Sequence, residues 1–97
     1  MIKQNLHCHT TFDDGADTPE AMVTAAVSAG LTSLGISAHC PVPGEVWCVS
    51  EENEPTFKAE LHRLREKYCG QIAVYCGLEY DSRSARRFEG YDYVIAS

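Results

Sequence analysis

Three absences narrow what this 97-residue chain can be. It has no apolar run long enough to cross a bilayer, and its first residues lack the charged-then-apolar layout of a secretory signal. Its five cysteines include no C-x-x-C pair, and their odd number argues against a disulfide framework. Cationic residues are scarce, and the net charge of −6 provides no electrostatic footprint for nucleic acid. We therefore expect a cytoplasmic protein with reduced thiols that binds neither membranes nor nucleic acid.

The chain alternates strand and helix patterns without an internal repeat, over a length that fits one domain at residues 1–97. Thr18-Pro19-Glu20 is typical of a helix N-terminus, and Gly30 is typical of a helix end. Helices are predicted at about residues 18–29 and 54–68, and strands at about 2–7, 33–38, 72–79 and 91–96. This order predicts parallel strands with crossover helices, as in an open sheet or a piece of an α/β barrel.

Apolar residues at helical spacing predict which side of each helix is buried. The first helix carries such a stripe at Met22, Ala25, Ala26 and Ala29. The second helix carries a stronger one at Phe57, Leu61, Leu64 and Tyr68. His62 lies off the second stripe, so we expect it to be solvated rather than a metal ligand.

Candidate metal ligands follow the ends of the predicted strands. His7 and His9 close the first strand, and residues two apart in a strand point to the same side. His39 closes the second strand, Glu79 closes the third, and Asp14 lies in the loop after the first. Because the carboxyl ends of parallel strands share one rim, we expect these side chains to converge. A mixed nitrogen and oxygen donor set suits Zn, Mn or Fe.

Loops beside this rim contain candidates for substrate contacts. Trp47 lies in a long irregular loop at residues 40–53, where it could wall a substrate pocket or anchor the loop. Arg83, Arg86 and Arg87 follow the third strand and could hold a substrate phosphate, because guanidinium groups bind phosphate in a bidentate manner. A solvated basic loop that balances nearby acids is the alternative interpretation of these arginines.

The chain reads HCHTTFDDG at residues 7–15, GLTSLGISAH at residues 30–39 and GLEYD at residues 77–81. These segments resemble motifs of the PHP (polymerase and histidinol phosphatase) domain family, most closely those of its histidinol-phosphatase branch. The resemblance implies that the chain is the N-terminal portion of a distorted (β/α)7 TIM-like barrel. It also implies a centre of two or three divalent metal ions, with Glu79 as a candidate bridge, and ligands at His7, His9, Asp14, His39 and Glu79.

Two positions depart from the family pattern. Asp13 stands where the family usually has Ser before the Asp-Gly pair, so it competes with Asp14 for the ligand role, and only the family match favours Asp14. Ala38 stands where the family usually has an acid before the histidine, and we expect its absence to weaken ligand orientation. Because a barrel of TIM class is on the order of 200 residues or more, we expect a longer protein whose later strands add ligands.

The resemblance implies hydrolysis of a small phosphomonoester by a metal-activated water, without a protein nucleophile. Histidinol phosphate is the substrate that it suggests, which would place the protein in histidine biosynthesis. A PHP-type protein tyrosine phosphatase remains an alternative, although its spacer between the histidines and the acids is longer. An amidohydrolase barrel also has a His-x-His motif, but no lysine appears in the later predicted strands. A partial barrel could instead be a catalytically incomplete, metal-binding module that self-associates through its open strand edge.

Overall fold

The structure is a computed structural model that describes residues 4–84 and 88–96. Its elements in chain order are β1 (Gln4–Asn5), α1 (Pro19–Ser28), β2 (Ser33–His39), α2 (Glu54–Lys67), β3 (Ala73–Tyr80), a 3-10 turn (Ser82–Ser84) and β4 (Tyr93–Ala96). The first predicted strand, at about 2–7, falls partly outside the described residues, and its sheet pairing ends at Asn5. No described helix combines the length and the apolar composition that crossing a membrane requires.

The four strands form one parallel sheet in the order β1-β2-β3-β4. The β2–β3 pairing extends from Ser33 opposite Ala73 to His39 opposite Glu79, so both candidate ligands lie side by side at the carboxyl rim. Both helices are crossover connections between neighbouring parallel strands, which confirms the predicted α/β class.

One face of the sheet packs against both helices. The core of this layer is apolar and buried, and its main members are Val23, Ala26, Leu34, Ile36, Ala38, Phe57, Leu61, Leu64, Val74 and Cys76. Phe12, from the loop after β1, packs edge-on against Phe57 with ring centroids 5.4 Å apart. The loop that carries the candidate acids is therefore fixed to the core.

α1 turns a different side to the sheet than the sequence spacing predicts. The structure buries Val23 and Ala26, whereas Ala25 and Ala29 are exposed and Met22 is only partly buried. An alanine-rich helix has no strongly apolar stripe, and burying Val23 removes more apolar surface from water than burying another alanine. The apolar stripe predicted for α2 agrees better with the structure, because Phe57, Leu61 and Leu64 are buried and only Tyr68 is partly exposed.

The two helices are also joined at the surface by Glu20. Its carboxylate accepts hydrogen bonds from the side chains of Lys67, Tyr68 and Arg63 on and beside α2. These hydrogen bonds, of which that from Lys67 contributes most, lower the pKa of Glu20 from 4.5 to about 2. The group of charges is exposed, so we expect its effect on stability to depend strongly on pH and salt.

On the opposite face of the sheet, Tyr93 reaches across three neighbouring strands. Its ring covers Gly35 and Gly77, where an added Cβ would lie 2.9 Å and 2.5 Å, respectively, from ring carbons. Its hydroxyl donates a hydrogen bond to the carbonyl oxygen of Leu6, beyond the end of β1, at 2.6 Å. β1 and β4 are three strand spacings apart, which in a flat sheet is roughly 14 Å and exceeds the reach of tyrosine. The sheet is therefore strongly curled, as in a barrel wall.

Candidate metal centre

The carboxylate of Glu79 is the common contact of three histidines. One of its oxygens contacts Nε2 of His7 and lies 3.5 Å from Nε2 of His9, and the other lies 3.0 Å from Nδ1 of His39. Strand register explains this convergence, because His39 and Glu79 are paired and the segment after β1 runs beside them. The side chains of Glu79, His9 and His39 are 12, 22 and 20% exposed, whereas that of His7 is 55% exposed.

Asp14 approaches the same histidines from the loop after β1. Its Oδ2 lies 3.2 Å from Nε2 of His39, and its Oδ1 lies 3.8 Å from Nδ1 of His9. The five ligands predicted from the sequence are thus brought together at one rim. By distance alone, two overlapping groups of donor atoms could each hold a metal ion: His7, His9 and Glu79, and His9, Asp13, Asp14 and His39.

Gly15 allows the Asp13-Asp14 turn to fold back onto the histidine segment. The amides of Gly15 and Asp13 both donate to the carbonyl oxygen of Thr10, at 2.8 and 3.0 Å. A Cβ on residue 15 would lie 2.5 Å from the carbonyl oxygen of His9. Only glycine therefore permits the close approach that brings both acids to the rim.

Asp13 is a buried partner of the ligand histidines, and its side chain is 0% exposed. Its Oδ2 accepts hydrogen bonds from Nδ1 of His9 at 2.6 Å and from the amide of His39 at 3.0 Å. Its Oδ1 accepts from the amide of Thr10 at 3.1 Å. A carboxylate at Nδ1 favours the tautomer whose lone pair is on Nε2, which is the His9 nitrogen nearest Glu79. Since three donors already occupy the oxygens of Asp13, the geometry favours Asp14 over Asp13 as a ligand.

The missing acid at position 38 has a structural counterpart in Asp13. Ala38 is completely buried and packs in the core on the helix-covered face, away from the histidines. Instead of an acid at position 38, Asp13 in the loop after β1 accepts the hydrogen bonds that orient His9 and the end of β2. The two positions that depart from the expected pattern are therefore linked: without an acid at position 38, the carboxylate of Asp13 still contacts the segments that carry His9 and His39.

Trp47 and Arg83 form one wall of the rim. The Trp47 ring meets His39 edge-on with centroids 5.2 Å apart, and the Arg83 guanidinium lies 5.3 Å from the Trp47 ring centroid. Arg83 also makes a bidentate pair with Asp81, at 2.7 and 3.0 Å, and these hydrogen bonds lower the pKa of Asp81 to about 2. The two other candidate arginines, Arg86 and Arg87, lie outside the described residues.

The cysteines next to the histidines are neutral packing residues. Burial, with a smaller contribution from the charge of Asp13, raises the pKa of Cys8 to about 11, and Cys8 Sγ contacts the carbonyl oxygen of Gly35 at 3.2 Å. Burial also raises the pKa of Cys40, which lies in the small cluster that fixes the long loop to Leu78. His62 is exposed on α2, as expected.

The fold and the site together define an α/β domain with a cluster of candidate metal ligands at the carboxyl rim of a curled parallel sheet. A sequence model of the PHP domain family matches residues 5–97. This chain belongs to the PHP domain family.

Two individual proteins extend this comparison. The chain is 31% identical over 103 residues to a Deinococcus radiodurans protein assigned as a histidinol-phosphatase. The aligned region covers 94% of this chain and 40% of that protein. The crystal structure of a Listeria monocytogenes protein assigned as a histidinol phosphatase matches with a TM-score of 0.74 at 21% identity. That match covers 81% of this chain and 35% of the other. The chain thus spans less than half the length of either protein and shares the fold of the part of the second protein that it matches.

Proposed function

We propose that this chain forms part of a metal-dependent phosphoesterase. The observation that carries the proposal is the convergence of three imidazoles on the carboxylate of Glu79, with Asp14 beside them. Neutral imidazole nitrogens and carboxylate oxygens are the donor set that Zn, Mn and Fe accept. The proposed ligands are His7, His9, Asp14, His39 and Glu79.

The two oxygens of Glu79 face different histidines, which supports a bridging role in a centre of two or three ions. One oxygen is directed toward His7 and His9, and the other toward His39. When bound, divalent ions polarise phosphoryl oxygens and lower the pKa of water. Glu79 and Asp14 would offset part of the positive charge of these ions, and Asp13 would keep Nε2 of His9 available as a donor atom.

The proposed substrate is a small phosphomonoester, and the names of the two similar proteins make histidinol phosphate the first candidate, with a place in histidine biosynthesis. Arg83 is proposed to contact the substrate phosphate, because Asp81 and Trp47 fix its guanidinium on the side of the rim next to His39. Arg86 and Arg87 remain candidates from the sequence for the same role.

Elemental analysis of the purified chain tests the metal site directly. We expect about one equivalent or more of a divalent metal in the native chain and in His62→Ala, and its loss in His7→Ala/His9→Ala. Hydrolysis of p-nitrophenyl phosphate by the same samples tests the reaction class. A metal content that is equal in all three proteins would refute the proposed ligands, and native protein without metal would refute the metal site.

The sheet edges favour a second candidate function, self-association. Within the described residues, β1 and β4 each pair on one side only, and Val94 and Tyr75 are 53% and 41% exposed. Open parallel edges and apolar surface promote pairing with another chain. Light scattering after size-exclusion chromatography should then show a dimer or larger species, and a monomer across the accessible concentration range would contradict this function.

A further inference from the structure

The peptide group between Leu6 and His7 lies outside the sheet ladder. The β1–β2 pairing covers only Gln4 opposite Ser33 and Asn5 opposite Leu34. A backbone hydrogen bond to β2 is found again at Cys8, whose carbonyl oxygen accepts from the amide of Ser37 at 3.0 Å. The peptide group that immediately precedes the imidazole of His7 is therefore not oriented by the sheet.

Two side chains hold this peptide group from opposite ends. Its N–H, on His7, donates to Oδ1 of Asn5 at 3.1 Å. Its carbonyl, on Leu6, accepts from the hydroxyl of Tyr93 at 2.6 Å. These two contacts give both polar groups of the peptide a side-chain partner in place of the missing sheet hydrogen bonds, and together they fix the peptide plane.

The surroundings of Tyr93 determine where its hydroxyl lies. Tyr93 is paired with Gly77 in the β3–β4 ladder, and its ring lies over Gly77 and Gly35. A side chain at either glycine would occupy the space of the ring. Burial raises the pKa of Tyr93 above its ordinary value, so the hydroxyl keeps its proton and remains a donor.

We propose that Tyr93 is a positioning residue for His7: its hydroxyl holds the Leu6–His7 peptide group so that the imidazole is directed toward Glu79. His7 needs such support more than the other histidines do, because its side chain is 55% exposed and its backbone lies outside the β1 ladder. His9 and its neighbours have the buried carboxylate of Asp13 instead. This role rests on the proposed function only for its effect on metal binding, since the contact between Tyr93 and the Leu6 carbonyl lies within this chain.

Tyr93→Phe tests the proposal, because it removes the hydroxyl and leaves the ring over both glycines. Tyr75→Phe is the matched control. Tyr75 lies on β3 two residues before Gly77, and therefore on the same face of the sheet as Tyr93. Its hydroxyl makes no hydrogen bond within residues 4–84 and 88–96. Two measurements are made on each protein. The first is the nuclear Overhauser effect between the His7 ring and Glu79 in metal-free protein, and the second is the Zn²⁺ affinity by calorimetry.

We expect Tyr93→Phe to lose the contact between His7 and Glu79 without metal and to bind Zn²⁺ about tenfold more weakly, at the low end for residues that orient ligands. Tyr75→Phe should match the native chain in both. An unchanged His7–Glu79 contact in Tyr93→Phe, or an equal loss in Tyr75→Phe, overturns the proposal. If the native chain binds no Zn²⁺, the proposed function fails while the metal-free measurement still decides the role of Tyr93.

A second variant keeps the test valid if Tyr93→Phe is poorly folded. Gly35→Ala leaves the tyrosine intact and places a methyl group against its ring and hydroxyl, so it should displace the hydroxyl from Leu6. We expect the same loss of the His7–Glu79 contact. If circular dichroism shows that Gly35→Ala is folded and the variant keeps the native Overhauser effect between His7 and Glu79, the proposed role of Tyr93 is contradicted.

Discussion

Asp13→Asn tests whether a buried carboxylate orients the candidate metal ligands. The native side chain is fully buried and accepts hydrogen bonds from two backbone amides, those of Thr10 and His39, and from the ring of His9. Asparagine has the same shape, but one oxygen becomes an NH2 group. In either orientation of the amide, that NH2 group faces a buried backbone N–H, which loses its acceptor.

The expected loss of stability follows from the number of backbone N–H groups that lose their acceptor, which is one. One buried donor without an acceptor costs about 1–3 kcal/mol, so the free energy of unfolding should fall by that amount. Loss of the Asp13 charge beside Nδ1 of His9 would also make the proposed ligand His9 a weaker and less oriented donor to a metal ion. Residues that orient metal ligands typically change metal affinity 10- to 100-fold, so the Zn²⁺ dissociation constant should rise by about that factor.

Urea denaturation with a chelator present measures the first effect, and Zn²⁺ calorimetry measures the second. Asp17→Asn is the control, because Asp17 is exposed in the same loop and its backbone carbonyl, not its side chain, accepts the hydrogen bond from Thr11. Native-like stability and native-like Zn²⁺ affinity in Asp13→Asn would refute the assigned role. Equal losses in Asp17→Asn would show that the effect is one of overall charge.

Three further predictions concern the turn, the core and the surface. Gly15→Ala should weaken Zn²⁺ binding and lower the melting temperature, because a Cβ collides with the His9 backbone, and unchanged values would show that the turn adjusts freely. Phe57→Ala should cost about 3–5 kcal/mol in urea denaturation, since Phe57 is completely buried, and a loss below ~1 kcal/mol would contradict the packing. Because the pKa of Glu20 is lowered from 4.5 to about 2, its stabilisation is complete above pH 4.5 and is lost as the pH falls toward 2. Glu20→Gln should therefore be less stable than the native chain at neutral pH in urea denaturation, and the difference should shrink as the pH falls through about 2; a constant difference would refute the pKa shift.

Local sequence signals predicted the elements that depend on local chemistry. Thr18, Pro19 and Gly30 locate α1 because capping and turn conformations are properties of a few adjacent residues. Only part of the buried side of α1 was predicted, because alanine side chains are too small to define an apolar stripe and the packing partner decides which side of the helix is covered. Long-range packing is not encoded within one turn of helix.

The convergence of the five candidate ligands could also be expected from the sequence. Each lies at the carboxyl end of a strand or in the segment after one, and parallel strands necessarily end at one rim. Whether they bind metal stays a prediction, since convergence alone does not demonstrate binding. The sequence left Asp13 and Asp14 as competitors, and Trp47 as either a wall or an anchor. Distances to His9 and His39 were required to distinguish Asp13 from Asp14, and they place Trp47 beside His39 while it also packs against the cluster that holds its loop.

The sequence by itself therefore determined the strand and helix order, the family and the set of candidate ligands, because these follow from local patterns and short motifs. The tertiary structure decided which carboxylate orients His9, which aromatic ring borders His39 and how Tyr93 reaches Leu6. For Tyr93 the physical reason is the curl of the sheet. The curl brings the hydroxyl of Tyr93 on β4 to the backbone carbonyl of Leu6 just after β1, 87 positions earlier in the chain, and no local pattern specifies that curvature.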